Sequence, residues 1–268
     1  RGLVGSEMCI RDRVLIGCAD LDLQPTDMIA EDAVKKDPKL VEAFLTKIYA
    51  NANFEPNEGV GYPNQDRLTD AVVGGEYTLM APWQNGVKAS THVPTASGAH
   101  SRLAKWQYGN IRSTNEIIEI LNEASFDPQK VKEQIAEAKF LRAWMYFEMV
   151  KRYGGVPLEL EAKSVEAPVE ELMIPRSSLK DCYDQIIADL DAGIADLPPT
   201  ATLGKATSMA ARALKSRAAL YAARIAKYHP QSANGLTSIP ASSAQAYYQM
   251  AHGAASACLL YTSPSPRD

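Results

Sequence analysis

A recurring helical pattern limits most strongly what this chain of 268 residues can fold into. Over most of residues 101–257, apolar side chains recur every three or four positions, which places them on one face of a helix. Each run is bounded by residues that start or stop helices, and no strong alternation of apolar and polar residues occurs. The predicted starts are Asp37-Pro38, Asp127-Pro128, Ser177 or Ser178, Thr207 and Ser243, and the predicted stops are Gly154-Gly155 and Pro198-Pro199.

The spacing of these helices indicates the architecture. Helix, short link and helix repeat along the chain, and the alanines between residues 210 and 226 would let neighbouring helices approach closely. We therefore predict an all-α fold of tetratricopeptide-like helical hairpins with long irregular loops. The longest irregular stretch, residues 53–100, is rich in glycine and proline, and ordered loops of this length tend to be functional.

Charge and composition exclude several classes of protein. The chain has 28 lysines and arginines against 32 acidic residues, a net charge of -4, whereas a nucleic-acid-binding surface needs excess positive charge. No run of 18 apolar residues is long enough to cross a membrane as a helix. Four cysteines are too few for a disulfide scaffold at this length.

Both ends of the chain lack the helical pattern. Residues 1–13 and 258–268 carry no helical or strand periodicity, and both strings resemble translated sequencing-adapter read-through. We expect these residues to be non-native and the array of hairpins to be incomplete at its C-terminus. The last helix would then lack a partner and expose an apolar face that includes Tyr247, Met250 and Ala254.

A possible lipidation motif follows the first of these strings. Leu15-Ile16-Gly17-Cys18 places a small residue before a cysteine, as in a bacterial lipobox, and an acidic, polar stretch comes next. Residues 14–26 are accordingly interpreted as a lipobox remnant with its tether, and Cys18 as the lipidated residue. The alternative is a short buried strand with a core thiol.

Three segments carry a resemblance to a known family. The first segment contains EAKFLRAWMYF at 137–147 and RYGGVPL at 152–158. The second contains RSSL at 176–179, YDQIIADL at 183–190 and DLP at 196–198. The third contains GKAT at 204–207 and AARALKSRAALY at 210–221. Their order, spacing and flanking glycines and prolines resemble the SusD/RagB family of outer-membrane nutrient-binding lipoproteins. The upstream WQYGNIRSTN at 106–115 fits the preceding helix of that family. The resemblance covers residues 14–257, of which 27–257 would form the helical-repeat domain.

This resemblance implies a non-catalytic role without a cofactor or a metal. A member would sit at the surface of the outer membrane, anchored there by a lipid, and would capture oligosaccharides or other nutrients. It would deliver them to a SusC-like TonB-dependent transporter. Part of the ligand site would lie in the loop at 53–100, and part in a C-terminal half.

The loop contains residue types suited to sugars. Aromatic faces stack on the C–H patches of a sugar, and planar polar side chains bond its paired hydroxyls. Trp83 and Tyr77 could instead be core residues that hold the loop to the helices. The candidate ligand-binding residues are Tyr62, Asp66, Arg67, Asp70, Tyr77, Trp83 and Asn85.

Two other functional classes stay open at this point. A soluble helical-repeat adaptor would bind a protein or peptide in its groove, but the lipobox and the aromatic loop favour a glycan-binding lipoprotein. A helical glycosidase would need two carboxylates that face each other across a cleft, and the sequence does not settle how Asp66 and Asp70 are placed.

Several conspicuous residues are predicted to be structural. Trp144, Tyr146 and Phe147 fall within a strong helical signature and are assigned to the core. Arg142 and Arg152 are expected to bond helix ends or neighbouring loops. Cys182 is expected to be a small buried apolar residue. The four histidines lack the spacing of metal ligands; they are His92, His100, His229 and His252.

Overall fold

The computed structural model describes residues 31–52, 106–164 and 167–259. The described residues are helical and contain no β-strand, so the predicted all-α class is confirmed. The helices are α1 Glu31–Val34, α2 Pro38–Asn51, α3 Tyr108–Asn122, α4 Pro128–Tyr153, α5 Val169–Leu172, α6 Leu179–Asp196, α7 Ser208–Tyr228 and α8 Ala244–Leu259. A short 3-10 turn, Ala241–Ser243, leads into α8.

Four helices begin where the sequence predicts, because a polar side chain caps each first turn. The capping oxygen accepts a hydrogen bond from a backbone N–H that has no partner within the helix. The pairs are Asp37 with Lys39 N at 2.8 Å, Asp127 with Gln129 N at 3.1 Å, Ser178 with Asp181 N at 3.1 Å, and Thr207 with Ala210 N at 3.1 Å.

Helices that follow each other in the chain also pack against each other. Helix α3 packs on α4, α4 on α6, α6 on α7 and α7 on α8, while α2 lies against both α3 and α4. Five alanines of α7 are fully buried and allow the close approach of its neighbours. They are Ala211, Ala218, Ala219, Ala222 and Ala223.

Helix α4 contributes more of the large, fully buried side chains than any other described helix. Tyr146 and Phe147 are fully buried, which confirms their assignment to the core. Trp144 is only partly buried, and its indole Nε1 donates to the carbonyl of Ala52 at the end of α2, at 3.2 Å. It therefore links two helices rather than filling the centre of the bundle.

The last helix differs from the sequence-based expectation. Tyr247 is 2% exposed and its hydroxyl donates to Asp184 on α6, while Met250 and Ala254 are partly or largely buried. The expectation of an exposed apolar face at these residues was wrong. Because α8 folds back along α7, it turns this face inward and finds its partner within the described residues.

Within the described ranges, no helix is both long enough and apolar enough to cross a membrane.

Candidate functional site

The predicted site residues fall outside the described part of the chain. This holds for the lipidation candidate Cys18 and for every ligand-binding candidate in the long loop, so their assignments stay predictions. The ligand-binding candidates are Tyr62, Asp66, Arg67, Asp70, Tyr77, Trp83 and Asn85.

An aromatic cluster lies where the long loop re-enters the described structure. Trp106 stands two residues before α3 and is 49% exposed. Its ring stacks on Tyr153, with centroids 4.2 Å apart and planes 11° from parallel. Tyr108 lies at 5.9 Å and 20° from the same indole. Trp106 is the ring that both tyrosines contact, and its indole stays half exposed to solvent.

The two tyrosines are fixed by their positions in the fold. Tyr108 is the first residue of α3, and its hydroxyl donates to the carbonyl of Pro157 at 2.9 Å. Burial raises the pKa of Tyr108 well above that of a free phenol, so the hydroxyl keeps the proton that it donates. Tyr153 is the last residue of α4, and its carbonyl accepts from the guanidinium of Arg176.

A tight turn behind Tyr153 sets the direction in which the cluster points. Gly154 has a φ of 72°, a left-handed conformation that favours glycine. The N–H of Gly155 donates to the carbonyl of Leu236 at 2.6 Å, and Arg176 Nε donates to the carbonyl of Gly155 at 2.7 Å. The end of α4, the start of α6 and the loop before α8 therefore meet beneath the cluster.

The arginines predicted to be structural bond within the protein. Arg142 forms two parallel hydrogen bonds to Asp189, at 2.8 and 2.7 Å, and its third donor group reaches Asn115 at 2.8 Å. Arg152 donates to the backbone carbonyl of Glu148, four residues earlier on α4. Neither guanidinium is free to hold a ligand in this arrangement.

The extended segment after α4 is fastened by the same buried groups. Arg142 donates to the carbonyl of Leu160, and Asn115 Nδ2 donates to the carbonyl of Glu159 at 3.0 Å. Tyr146 both donates to this carbonyl and accepts from the Glu159 N–H, at 3.0 and 2.7 Å. This segment forms no strand in the described structure.

The described ranges contain no cluster of metal-binding side chains. No three or more histidine, cysteine, aspartate or glutamate side chains within residues 31–52, 106–164 and 167–259 are arranged to hold a metal ion. Cys182 is fully buried, as expected of a small apolar residue, and burial raises the pKa of its thiol. That thiol therefore stays protonated near neutral pH.

A family profile matches most of the chain. The SusD-like profile described as "Starch-binding associating with outer membrane" matches residues 21–220. This chain belongs to the SusD-like family. The resemblance recognised in the three helical segments is thereby confirmed.

Two curated SusD-like relatives match the chain at low identity. The SusD-like protein P2 of Formosa agariphila is 25% identical over 189 residues, which is 69% of this chain and 36% of the relative. A SusD-like protein of Bacteroides ovatus is 28% identical over 218 residues, which is 77% of this chain and 37% of the relative. The chain thus spans little more than a third of the length of either relative.

Solved SusD-like structures share its fold. A SusD-like protein of Bacteroides fragilis matches with 30% identity and a TM-score of 0.54, over 76% of this chain and 38% of that one. A laminarin-binding SusD-like protein matches with 22% identity and a TM-score of 0.55, over 81% and 44%. A structure determined with xylogluco-oligosaccharide matches with 20% identity and a TM-score of 0.59, over 82% and 40%.

The exposed position of Trp106 was not predicted from the sequence. The recurring apolar pattern begins near residue 101 and includes Trp106, whereas α3 starts at Tyr108. The apolar pattern extends beyond the N-terminus of α3 because the Trp106 indole also packs, but against Tyr153 at the end of α4. The sequence signal for this site is a pair of aromatic residues, Trp106 and Tyr108, that follows a stretch rich in glycine and proline.

Proposed function

We propose that this SusD-like chain is part of a non-catalytic glycan-binding lipoprotein of the outer membrane. Such a protein captures oligosaccharides at the cell surface and passes them to a SusC-like TonB-dependent transporter. The starch-binding, outer-membrane description of its family supports this proposal. The one structural observation that carries it is the exposed indole of Trp106, stacked on Tyr153.

The stacked cluster has the properties of a sugar platform. One face of a pyranose ring presents C–H groups, which pack on an aromatic face as other apolar groups do. Trp106 is held from behind by Tyr153, so its orientation is set before any ligand arrives, and less side-chain freedom is lost on binding. A rigid, half-exposed ring is therefore better suited to stacking than a mobile one.

The remainder of the site is proposed to come from the long loop that precedes Trp106 in the sequence. Planar polar groups there would bond sugar hydroxyls, and further aromatic rings would extend the stacking surface. The proposed residues are Tyr62, Asp66, Arg67, Asp70, Tyr77, Trp83 and Asn85.

Replacing Trp106 with alanine is expected to weaken glycan binding and to lower the free energy of unfolding by only about 1–2 kcal/mol, since the half-exposed indole also stacks on Tyr153 and Tyr108. Loss of one aromatic stacking contact of about 1.5 kcal/mol corresponds to about ten-fold in the dissociation constant. The measurement is calorimetric titration of the chain with laminarin- and xyloglucan-derived oligosaccharides, accompanied by its melting temperature.

Tyr228 provides the matched control for this experiment. It is 65% exposed on α7, so Tyr228→Ala also removes an exposed aromatic ring. We expect unchanged binding for this variant. Equal losses of affinity in both variants, or an unchanged affinity after Trp106→Ala, would argue against the platform.

Lipidation is expected at Cys18 when the chain is expressed behind a lipoprotein signal peptide that ends at Gly17. A small residue before the cysteine is what the processing peptidase requires, and the attached lipid would hold the chain at the membrane. Metabolic labelling with a fatty-acid analogue should mark the wild-type chain and not Cys18→Ala. Cys182→Ala is the control that keeps its label, and labelling of all three would contradict the assignment.

A further inference from the structure

The region that contains the last two long helices differs in charge from the rest of the chain. Residues 197–259, which include α7 and α8, have six lysines and arginines and no acidic residue, whereas the remainder has 22 basic and 32 acidic side chains. A basic region on an otherwise acidic protein indicates a surface for an anionic partner. The six basic residues are Lys205, Arg212, Lys215, Arg217, Arg224 and Lys227.

Four of these six cations have no acidic partner within the described ranges. Lys205 pairs with Glu42, and Lys215 pairs with Asp191 on α6. The cations without an ion pair there are Arg212, Arg217, Arg224 and Lys227. All of these except Arg212 are exposed, so a ligand from solvent can reach their charges.

The exposed cations alternate with apolar side chains on one face of α7. Residues three, four or seven apart in a helix share a face, and eleven residues rise by about 16 Å. The edge of the Tyr221 ring packs on the buried Phe147, with centroids 5.4 Å apart, which anchors the middle of this face. We call the face the basic stripe; it consists of Arg217, Leu220, Tyr221, Arg224, Lys227 and Tyr228, all of them exposed.

A pocket of about 280 Å³ lies in the C-terminal half of the basic stripe, between α7 and α8. Leu220, Arg224 and Tyr228 line it from α7, and Tyr248 lines it from α8. The first three are exposed and Tyr248 is partly exposed, so every lining side chain is accessible to a ligand. Small-molecule sites begin at about 300 Å³, so the pocket suits one unit of a longer ligand.

Two cations at this pocket are held by aromatic rings. Lys227 Nζ lies 5.1 Å from the ring centroid of Tyr228 and 5.9 Å from that of Tyr248. Arg224 Cζ lies 6.0 Å from the Tyr228 centroid. Such cation–π contacts orient the charge without an acceptor atom, so the N–H groups of both side chains stay available to an anionic ligand.

We propose that this pocket and the basic stripe bind an acidic oligosaccharide. Its carboxylates accept hydrogen bonds from Arg224 and Lys227, and its C–H faces pack on the rings of Tyr228 and Tyr248. The planar fork of an arginine matches a carboxylate with two parallel hydrogen bonds. Further along the stripe, Arg217 lies two helical turns, about 10 Å, before Arg224 and meets a second charge of the same chain.

The composition of the basic stripe favours a sugar acid over other anions. Each unit of an acidic oligosaccharide offers both a charge and an apolar C–H face, which matches cations that alternate with tyrosines. A helix that lies on an anionic membrane buries a continuous apolar face instead, and here the cations interrupt that face. The site uses other helices than Trp106 and does not depend on the platform proposed there.

Three probes separate the charge of the ligand from its sugar ring. Trigalacturonate has three carboxylates, its methyl ester is neutral with the same rings, and citrate has three carboxylates without a sugar. Each is titrated into the full chain, and amide chemical shifts are followed by nuclear magnetic resonance. We expect saturable shifts at α7 and α8 for trigalacturonate and at least about ten-fold weaker binding of the ester, because charge-assisted hydrogen bonds are lost.

The other two tests concern the rings and the charge. Citrate is expected to bind about ten-fold more weakly than trigalacturonate, because it has no C–H face to pack on the tyrosines. Added salt screens exposed charges, so it should weaken the binding of trigalacturonate. The same salt should leave the weak binding of the neutral ester nearly unchanged.

Two variants of α7 locate the binding. Arg224→Gln removes an exposed charge from the pocket and should weaken trigalacturonate binding about ten-fold or more. Lys215→Gln removes the same charge from the same helix, but Lys215 lies two and a half turns from Arg224 and therefore on the opposite side of α7. This control should bind trigalacturonate as the wild-type chain does.

The experiment also separates this proposal from the platform at Trp106. Neutral laminarin and xyloglucan oligosaccharides lack the carboxylate that the pocket requires, so Tyr228→Ala should weaken the binding of trigalacturonate only. Absence of trigalacturonate shifts at α7 would leave the platform proposal standing. Absence of neutral oligosaccharide binding at Trp106 would leave the acidic site standing.

Four outcomes would overturn the acidic site. Equal binding of trigalacturonate and its ester would mean that charge is not recognised, and equal binding of citrate would mean a general anion surface. Trigalacturonate binding that survives Arg224→Gln, or that is absent in the wild-type chain, would also contradict the proposal. Co-sedimentation with phosphatidylglycerol vesicles that is lost in Arg224→Gln, without trigalacturonate binding, would assign the stripe to a membrane surface.

Discussion

Asp189→Ala is expected to lower the free energy of unfolding by about 3–5 kcal/mol, because it leaves a buried guanidinium without its counter-charge. Arg142 and Asp189 are 6% and 3% exposed and are joined by two short hydrogen bonds. Removing the carboxylate would strand the positive charge between α4 and α6. The measurement is the shift of the denaturant midpoint at constant slope.

The same helix offers a matched control. Asp191 lies two residues further along α6, pairs with Lys215 and has a side chain that is 51% exposed. Exposed ion pairs contribute at most about 1 kcal/mol, so Asp191→Ala should shift the midpoint only slightly. Similar losses of stability in Asp189→Ala and Asp191→Ala would show that burial does not determine how much the Arg142–Asp189 pair contributes to stability.

Replacing both partners distinguishes a lost attraction from a stranded charge. A buried ion pair exchanged for apolar residues of similar volume is often neutral or stabilising. In this protein Arg142 also donates to Asn115 and to the carbonyl of Leu160. We therefore expect Arg142→Met combined with Asp189→Leu to recover part of the loss in Asp189→Ala, but not all of it.

The helices were predictable because their limits depend on neighbours in sequence. Asp127 caps α4 through an N–H two residues away, and Gly154 ends the same helix because it can adopt a positive φ. Such signals require no knowledge of the remainder of the fold. The packing order followed as well, since consecutive amphipathic helices with short links bury their apolar faces against each other.

The candidate sites were less predictable because they depend on contacts between distant residues. The Trp106 platform exists only because the chain returns 47 positions later and places Tyr153 under the indole. The pocket on α7 depends on such contacts as well, because Tyr248 joins it only where α8 folds back along α7. The face of α8 was mispredicted for the same reason, because Asp184 on α6 supplies its partner.

Gly154→Ala is expected to destabilise the chain by about 2–5 kcal/mol through two separate effects. Its φ of 72° costs a residue with a side chain roughly 1–2 kcal/mol. A Cβ atom at this position would also lie 2.3 Å from the backbone oxygen of Leu236, which no rotation of a side chain can relieve. The loop before α8 would have to move, and it is held by the bond from the Gly155 N–H to that same oxygen.

Gly253→Ala tests the same substitution where neither effect operates. Gly253 lies within α8, and a Cβ atom there would meet nothing within 4 Å. Alanine is a better helix former than glycine, so this variant should gain about 0.5–1 kcal/mol of stability. If chemical denaturation shows a lower free energy of unfolding for Gly154→Ala and a higher one for Gly253→Ala, the loss is due to the turn at Gly154. Since this turn carries the carbonyl contacts behind Tyr153, the Gly154 variant should also weaken oligosaccharide binding at Trp106, whereas Gly253→Ala should leave it unchanged.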